Sequence, residues 1–478
     1  MNIARTLALA VLPLALGASF SSNAAEGDSA THSPATNSAP EASAKRAGTK
    51  KAGPGVPAVF LDPGPMVGHV SSSNALVWAR ASGAARLGMR VSSEPNLAEA
   101  LDFEGPKLNA ASGFMGQVEI AGLEPERRYF YCPTLDGKLA MLPPYPSFRT
   151  PPMEAQRGRV RVAFTSCVGY HGYDAAPGYS DLATRTNLDL LLMLGDNHYA
   201  NTNSAVVQRQ FYQDQRRTGG WRELAANLPV YAIWDDHDYG PDNSDGRLQG
   251  KEESLQTFKD HWANPSYGEP GNPGVYCKFN RAGVDFFLLD GRYHRDPNKA
   301  KNLEHKTMLG GRQVAWLQRE LLASRAPIKV IACGGEFQSN GTDDSWTSFA
   351  SERDGLFRFI ETNRIEGVLL LSGDRHFTGA YQVRGKWIEV TAGPLGSSNA
   401  KTRNVPEMFL NFSDSKSKYY CVYDLNAASS PPEVTLEVYR VGEGLALRRE
   451  FTWDEVLGLT MILPLPPSAE APRLRRQP

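Results

Sequence analysis

Six near-continuous apolar runs recur between residues 158 and 400: RVRVAFTSC (159–167), LDLLLMLGD (188–196), LPVYAIWDD (228–236), VDFFLLDGR (284–292), IKVIACGGE (328–336) and GVLLLSGDR (367–375). Runs of this kind predict strands buried on both faces. Stretches with helical spacing, RQVAWLQRELLASR (312–325) and ERDGLFRFIETN (352–363), lie between some of them, so the region predicts an α/β layered domain. Every run ends in small, polar or ionisable residues. In open α/β sheets the site lies beyond the carboxyl ends of the strands, so these ends are the candidate site.

The pattern differs on either side. From 57 to 152, short alternating runs such as NALVWARA (74–81), LGMRVSS (87–93), GQVEIAG (116–122) and RRYFYCP (127–133) are separated by Gly, Pro, Ser and Asn. Period-two alternation with frequent turn residues predicts a small antiparallel β-sandwich, and the phrases GLEPERRYFY and SFRTPP give it a fibronectin-III-like character. Residues 419–451 alternate like closing strands, placing the α/β domain at 158–455, with a Pro-rich and Arg-rich tail over 456–478.

Ahead of the sandwich, Arg5, an apolar core from Leu7 to Ala18 and small residues at Ser22, Ala24 and Ala25 read as an export signal over 1–25. The core is far shorter than the roughly 20 residues of a membrane span. Residues 26–56 lack a large apolar residue before Val56 and read as a tether. The expected location is periplasmic or secreted.

Charge adds an exclusion. With 51 Lys plus Arg against 52 Asp plus Glu, no basic surplus exists for nucleic-acid binding by bulk charge. An anionic substrate has to be captured locally. The five cysteines, Cys132, Cys167, Cys277, Cys333 and Cys421, are an odd set for an exported chain, which leaves at least one thiol for another task. Pairing among Cys132, Cys277, Cys333 and Cys421 is open between disulfides and buried thiols.

The candidate chemistry is a joint signal. Cys167, Asp196 and Tyr199, the Asp235–Asp236–His237 cluster, Asn243, and Asp374 with His376 all lie at or just beyond strand ends. Each alone has an ordinary structural reading. Together they stack ionisable groups at four strand ends, and carboxylates away from water need a pairing charge or a metal. Carboxylates suit hard ions such as calcium or magnesium, whereas thiolate, phenolate and imidazole suit transition metals. Ionising a phenol of ordinary pKa about 10 calls for a strongly Lewis-acidic ion, for which ferric iron is the leading candidate. At least two ions are expected.

In this order, SC, GDxxY, WDDH and SGDxH, with VWAR in the sandwich and LDGRYHR after the third motif, resemble the PhoD-type alkaline phosphatases of the metallophosphoesterase superfamily over about residues 60–450. The resemblance implies two mixed sheets flanked by helices. It implies one Fe3+ held by Cys167, Asp196 and Tyr199, with Asp196 bridging to one or two Ca2+. Asp236 stands where the superfamily has a metal-binding Asn, His237 where it has the proton-handling His, and Asp374 and His376 where it has two metal-binding histidines. Asp235 and Asn243 are further calcium candidates. The implied activity is phosphoester hydrolysis, with metal-bound hydroxide attacking phosphorus and His237 serving the leaving oxygen. Arg292, Arg295 and Arg375 sit near the motifs and read as structural ion pairs. The substrate remains open among monoesters, diesters, nucleotides and phospholipid head groups, as does oligomeric state. A different class, a secreted binding module that keeps calcium only for structure, remains as the alternative.

Overall fold

The structure is a computed structural model and describes residues 58–300, 305–338, 341–402, 404–413 and 416–464. The expected export signal (1–25), the tether (26–56) and residues 465–478 of the tail lie outside them. Among the described residues no helix is long and apolar enough to cross a membrane.

The alternating N-terminal region forms eight strands: β1 (Met66–Val70), β2 (Asn74–Arg80), β3 (Ala85–Ser92), β4 (Leu101–Leu108), β5 (Met115–Ala121), β6 (Arg128–Leu135), β7 (Lys138–Leu139) and β8 (Ser147–Arg149). They pair antiparallel into two sheets, β1-β2-β5 and β4-β3-β6-β7, with β8 also on β6. The inward residues of the alternation, among them Val77, Leu87, Met89, Val118, Ile120 and Tyr131, share one core. This sandwich belongs to the same compact unit as the α/β region, Ala58–Pro478. The union has identifiable contacts. Trp78 of β2 donates its indole N–H to the Asp260 carbonyl at 2.7 Å, and the Tyr131 hydroxyl donates to the Ala226 carbonyl at 2.7 Å. The fully buried Arg216 guanidinium lies 4.6 Å from the ring centre of Trp78 and 4.8 Å from that of Trp262, so a cation–π contact links sandwich to helix.

All six apolar runs are strands: β9 (Arg159–Thr165), β10 (Leu190–Leu194), β11 (Val230–Ile233), then, after β12 (Cys277–Arg281), β13 (Val284–Leu288), β14 (Ile328–Ala332) and β15 (Val368–Ser372). They divide between two mixed sheets. One has the order β11-β10-β9-β19-β20-β21, where β19 (Tyr419–Asn426), β20 (Glu433–Arg440) and β21 (Gly444–Phe451) are the closing strands. The other runs β12-β13-β14-β15-β17-β16-β18, with β16 (Thr378–Val383), β17 (Trp387–Thr391) and β18 (Met408–Phe412). In the first sheet β11, β10 and β9 run parallel at one edge and the closing strands add antiparallel; in the second, β13, β14, β15 and β17 run parallel in the middle, with β12, β16 and β18 added antiparallel. This is the mixed α/β arrangement expected.

Side-chain alternation explains why continuous oily runs are needed. In β13, Val284, Phe286 and Leu288 enter the core shared with the first sheet, while Phe287 faces the other way. Val330 and Ala332 of β14 and Leu369 and Leu371 of β15 follow the first face, Ile331 and Leu370 the second. Helices Gly311–Ala323 and Ala350–Thr362 cover that second face with Trp316, Leu317, Leu321, Leu356, Phe357 and Ile360. The polar residues these strands do carry are buried but paired: Asp285 of β13 accepts from Asn280 and Ser324, and Lys329 of β14 donates to the Ala326 and Glu366 carbonyls.

Candidate metal centre

The carboxyl ends of β9, β10 and β11 from one sheet meet that of β15 from the other. Backbone bonds tie the tips together: Val168 N–H donates to the Asp196 carbonyl at 3.1 Å, and Gly373 N–H to the Gly334 carbonyl at 2.8 Å. Five of the nine candidate residues sit in left-handed backbone, Cys167 (φ 58°), Asp196 (52°), Asn243 (58°), Asp374 (63°) and His376 (53°). Non-glycine residues populate this region rarely, and such strain concentrates where side chains have been aimed for function. Glycines make the room. A Cβ at Gly195 would lie 2.7 Å from Asp235 Cβ, and one at Gly334 would lie 2.7 Å from Asp235 Cγ.

The aimed side chains fall into three overlapping groups whose ligand atoms all lie within 4.8 Å of one another: Cys167, Asp196 and His376; Asp196, Asp236 and His237; Asp235, Asp236 and Asp374. The Tyr199 hydroxyl joins the first group, 2.9 Å from Asp196 Oδ2 and 2.8 Å from His376 Nε2. Thiol, phenol, imidazole and carboxylate therefore converge at one end, and three carboxylates at the other. Asp196 and Asp236 link the groups. Separation of soft from hard donors is what two unlike cations would require.

Electrostatics tests whether the donor set fits cations. Burial, reinforced by Asp236, Asp235, Asp238 and Asp374, pushes the Asp196 carboxyl well above its usual range. Burial and neighbouring acids do the same to Asp374, and burial raises Asp235 to about 6 against the opposing pull of Arg292. The Cys167 thiol and the Tyr199 phenol are also driven up, first by burial and then by Asp196. Two buried carboxylate oxygens, Asp196 Oδ1 and Asp235 Oδ2, have no hydrogen-bond donor among the described residues. Like charges packed this closely out of water are satisfied by divalent or trivalent ions, so the residues present fit a metal centre.

The remaining candidates have distinct roles. His237 hydrogen-bonds through Nδ1 to the Asn201 side-chain oxygen; the oxygen accepts, so Nδ1 carries the proton and Nε2 is left for other partners. Its ring stacks on Tyr199 with centres 4.2 Å apart. Asn243 gives its backbone N–H to Asp236 Oδ2 at 2.7 Å, but its side-chain amide donates to Asp242 Oδ2 at 2.8 Å. The structure thus places the Asn243 side chain beside the acid cluster and engaged elsewhere. Asp236, His237, Asn243, Asp374, Arg375 and His376, with Asp242, Thr342 and Asp344, line a cleft of about 280 Å³.

Arg292 and Arg295 are held in ion pairs. Arg292, fully buried, donates to Asp235 Oδ1 and, at 2.8 Å, to Asp344 Oδ2, and Arg295 also pairs with Asp344. Arg375 lines the cleft with Nε 3.4 Å from Glu336 Oε2. Asp344 and Asn201 were absent from the sequence candidates. Asn201 stands two residues beyond Tyr199 in the tail of the β10 run and Asp344 eight residues beyond the run that ends at Glu336, but neither residue type by itself marks the partner of a distant His or Arg. All five cysteines are buried free thiols.

Residues 162–426 match the family model described as PhoD-like phosphatase. The chain is 27% identical over 317 residues to alkaline phosphatase D of Bacillus subtilis (strain 168), covering 55% of this chain and 53% of that protein; the match thus spans about half of the relative's length. Among solved structures, that of PhoD superposes with a TM-score of 0.65 at 20% identity, over 81% of this chain and 91% of that one. A purple acid phosphatase from yellow lupin (Lupinus luteus) seeds superposes at 0.60 and 13% identity, over 80% and 72%. These two likenesses are likenesses of fold. With more than half of its length matched by the family model, the chain belongs to the PhoD-like phosphatase family.

Proposed function

We propose that the protein is an exported, metal-dependent phosphoester hydrolase of the alkaline phosphatase D kind. The observation that carries the reading is the convergence of Cys167, Asp196, Tyr199 and His376 beside Asp235, Asp236 and Asp374, of which Asp236, Asp374 and His376 line one cleft. Cys167, Asp196, Tyr199 and His376 would hold ferric iron, whose acidity suits a thiol and a phenol that burial otherwise keeps protonated. Asp235, Asp236 and Asp374 would hold calcium, with Asp196 shared and Asn243 at the margin. When bound, such ions neutralise phosphate charge and lower the pKa of water enough for it to serve as nucleophile.

The chain's own residues supply the rest. As the doubly protonated imidazolium, with Nδ1–H held by Asn201, His237 would donate its Nε2–H to the departing oxygen and be left as the neutral Nδ1–H imidazole, work typically worth about 10² to 10⁴ in rate. Arg292, itself held by Asp344, pairs with one oxygen of Asp235 and leaves the other for a cation shared with Asp236 and Asp374. Export rests on the charged, apolar and small-residue order of residues 1–25.

Hydrolysis of a chromogenic phosphomonoester and a phosphodiester by the purified protein, before and after chelation, tests the reading. Activity on at least one that is lost on chelation and restored by iron with calcium is expected. Bound calcium without iron, and no hydrolysis of either ester, would favour the binding module instead.

A further inference from the structure

The loop between β9 and helix Ala176–Ala183 displays aromatic rings that the fold does not use. Tyr170 is 55% exposed and Tyr173 67%, yet the loop is pinned. His171 N–H donates to Asp174 Oδ2 at 2.8 Å, and Asp174 N–H returns to the His171 carbonyl at 3.0 Å. A Cβ at Gly172 would lie 2.6 Å from the Asp214 carbonyl carbon, so the backbone presses against helix Ala205–Arg216 and only glycine fits. The Tyr170 ring centre is 4.7 Å from that of Tyr199 and 6.4 Å from that of His237. Close by in the chain, the His171 ring stacks on Tyr173 at 5.3 Å with planes 5° apart. Exposed aromatic surface held rigid beside a polar site has the make-up of a recognition surface.

We propose that Tyr170 is the specificity-determining residue of a leaving-group subsite that takes phosphoesters whose alcohol carries a planar ring, aryl or nucleoside. The inference rests on the hydrolase reading above. The departing oxygen has to lie at His237 Nε2 to receive its proton, so whatever that oxygen carries lies beside the His237 ring. The cleft, with cations held by its acids, would take the phosphate end. Beside His237 and Tyr199 stands the ring of Tyr170, a residue more than half exposed. A ring on the alcohol stacks there, and an aliphatic polyol gains little from the same surface.

The test compares kcat/KM for phenyl phosphate, adenosine 5′-phosphate and glycerol phosphate in wild type, Tyr170→Phe, Tyr170→Leu and Tyr170→Ala. The ratio of each ring substrate to glycerol phosphate is the readout, because any disturbance of Tyr199 or of cation loading divides out. Tyr170→Ala is expected to lower the ratio about tenfold for at least one ring substrate, with Tyr170→Leu close behind and Tyr170→Phe near wild type. A drop confined to phenyl phosphate assigns the subsite to aryl groups, and one confined to the nucleotide assigns it to nucleosides. Equal losses on all three substrates would overturn the subsite and leave the hydrolase reading standing. Absence of hydrolysis of every ester by wild type with its metals restored would overturn both.

Discussion

Stripping the cations from the acid cluster should make the protein's stability depend on pH in a way that loaded protein's does not. In the cation-free protein, burial raises Asp235 from the ordinary 3.8 to about 6. Below about pH 4 the folded and unfolded chains both hold this proton. Between about pH 4 and pH 6 the folded chain keeps a proton that the unfolded chain has released, so stability falls as pH rises through that window and levels off above it. At about 1.4 kcal/mol per pH unit, the two-unit shift amounts to about 3 kcal/mol from Asp235 alone. Asp196 and Asp374, displaced in the same direction by burial and by neighbouring acids, add to the loss. A bound cation stabilises the ionised carboxylates and removes the fall. Other groups that titrate on folding, such as His198, held down to about 3 by burial, act on both forms and cancel in the difference. Thermal unfolding of loaded and chelated protein, followed by tryptophan fluorescence at pH 4.5, 6 and 7.5, measures the gap in Tm between them. The gap should widen with rising pH. A gap that stays constant or narrows would refute the placement of a cation among these acids.

Replacing Arg292 with Met strands the buried Asp235 carboxylate and leaves Asp344 to Arg295 alone, and should lower unfolding stability by about 3–5 kcal/mol; adding Asp235→Asn should recover part of it, as denaturant titration of the two chelated variants would reveal. His237→Ala should cut turnover by about 10² to 10⁴ with metal content unchanged, read by steady-state kinetics alongside elemental analysis. Tyr199→Phe should bleach a visible phenolate-to-iron band, and an unaltered absorption spectrum would remove Tyr199 from the iron ligands.

The parts of the fold that were legible are those in which one local rule decides the outcome. Both faces of β10 and β15 are buried, so LLLML and VLLLS had to be uninterrupted, and the switch to Gly-Asp marks where each strand stops. What the chain does between distant segments was not legible. Tyr419–Asn426 pairs with Arg159–Thr165 across more than half the chain, a choice made by the complementary faces of assembled sheets. Division of the six runs between two sheets is equally global. Residues of the site were visible when they followed a strand. Cys167 and His376 meet although they come from different sheets, and their motifs gave no hint that His376 sides with the thiol while Asp374 sides with Asp235 and Asp236. Asp344 and Asn201 act through Arg292 and His237, contacts that exist only once the loops are folded. For Asn243 the motif placed the residue near the cluster, but its side chain answers to the adjacent Asp242.

Elemental analysis of protein purified from its natural compartment, run beside the Asp196→Ala variant, tests the central claim most directly, because Asp196 belongs to both the soft and the hard donor group. The account predicts iron together with calcium in the wild type, and loss of iron, with weakened calcium retention and no phosphoester hydrolysis, in the variant. Wild-type protein that hydrolyses phosphoesters without bound metal, or an Asp196→Ala protein that keeps both its ions and its activity, would contradict it.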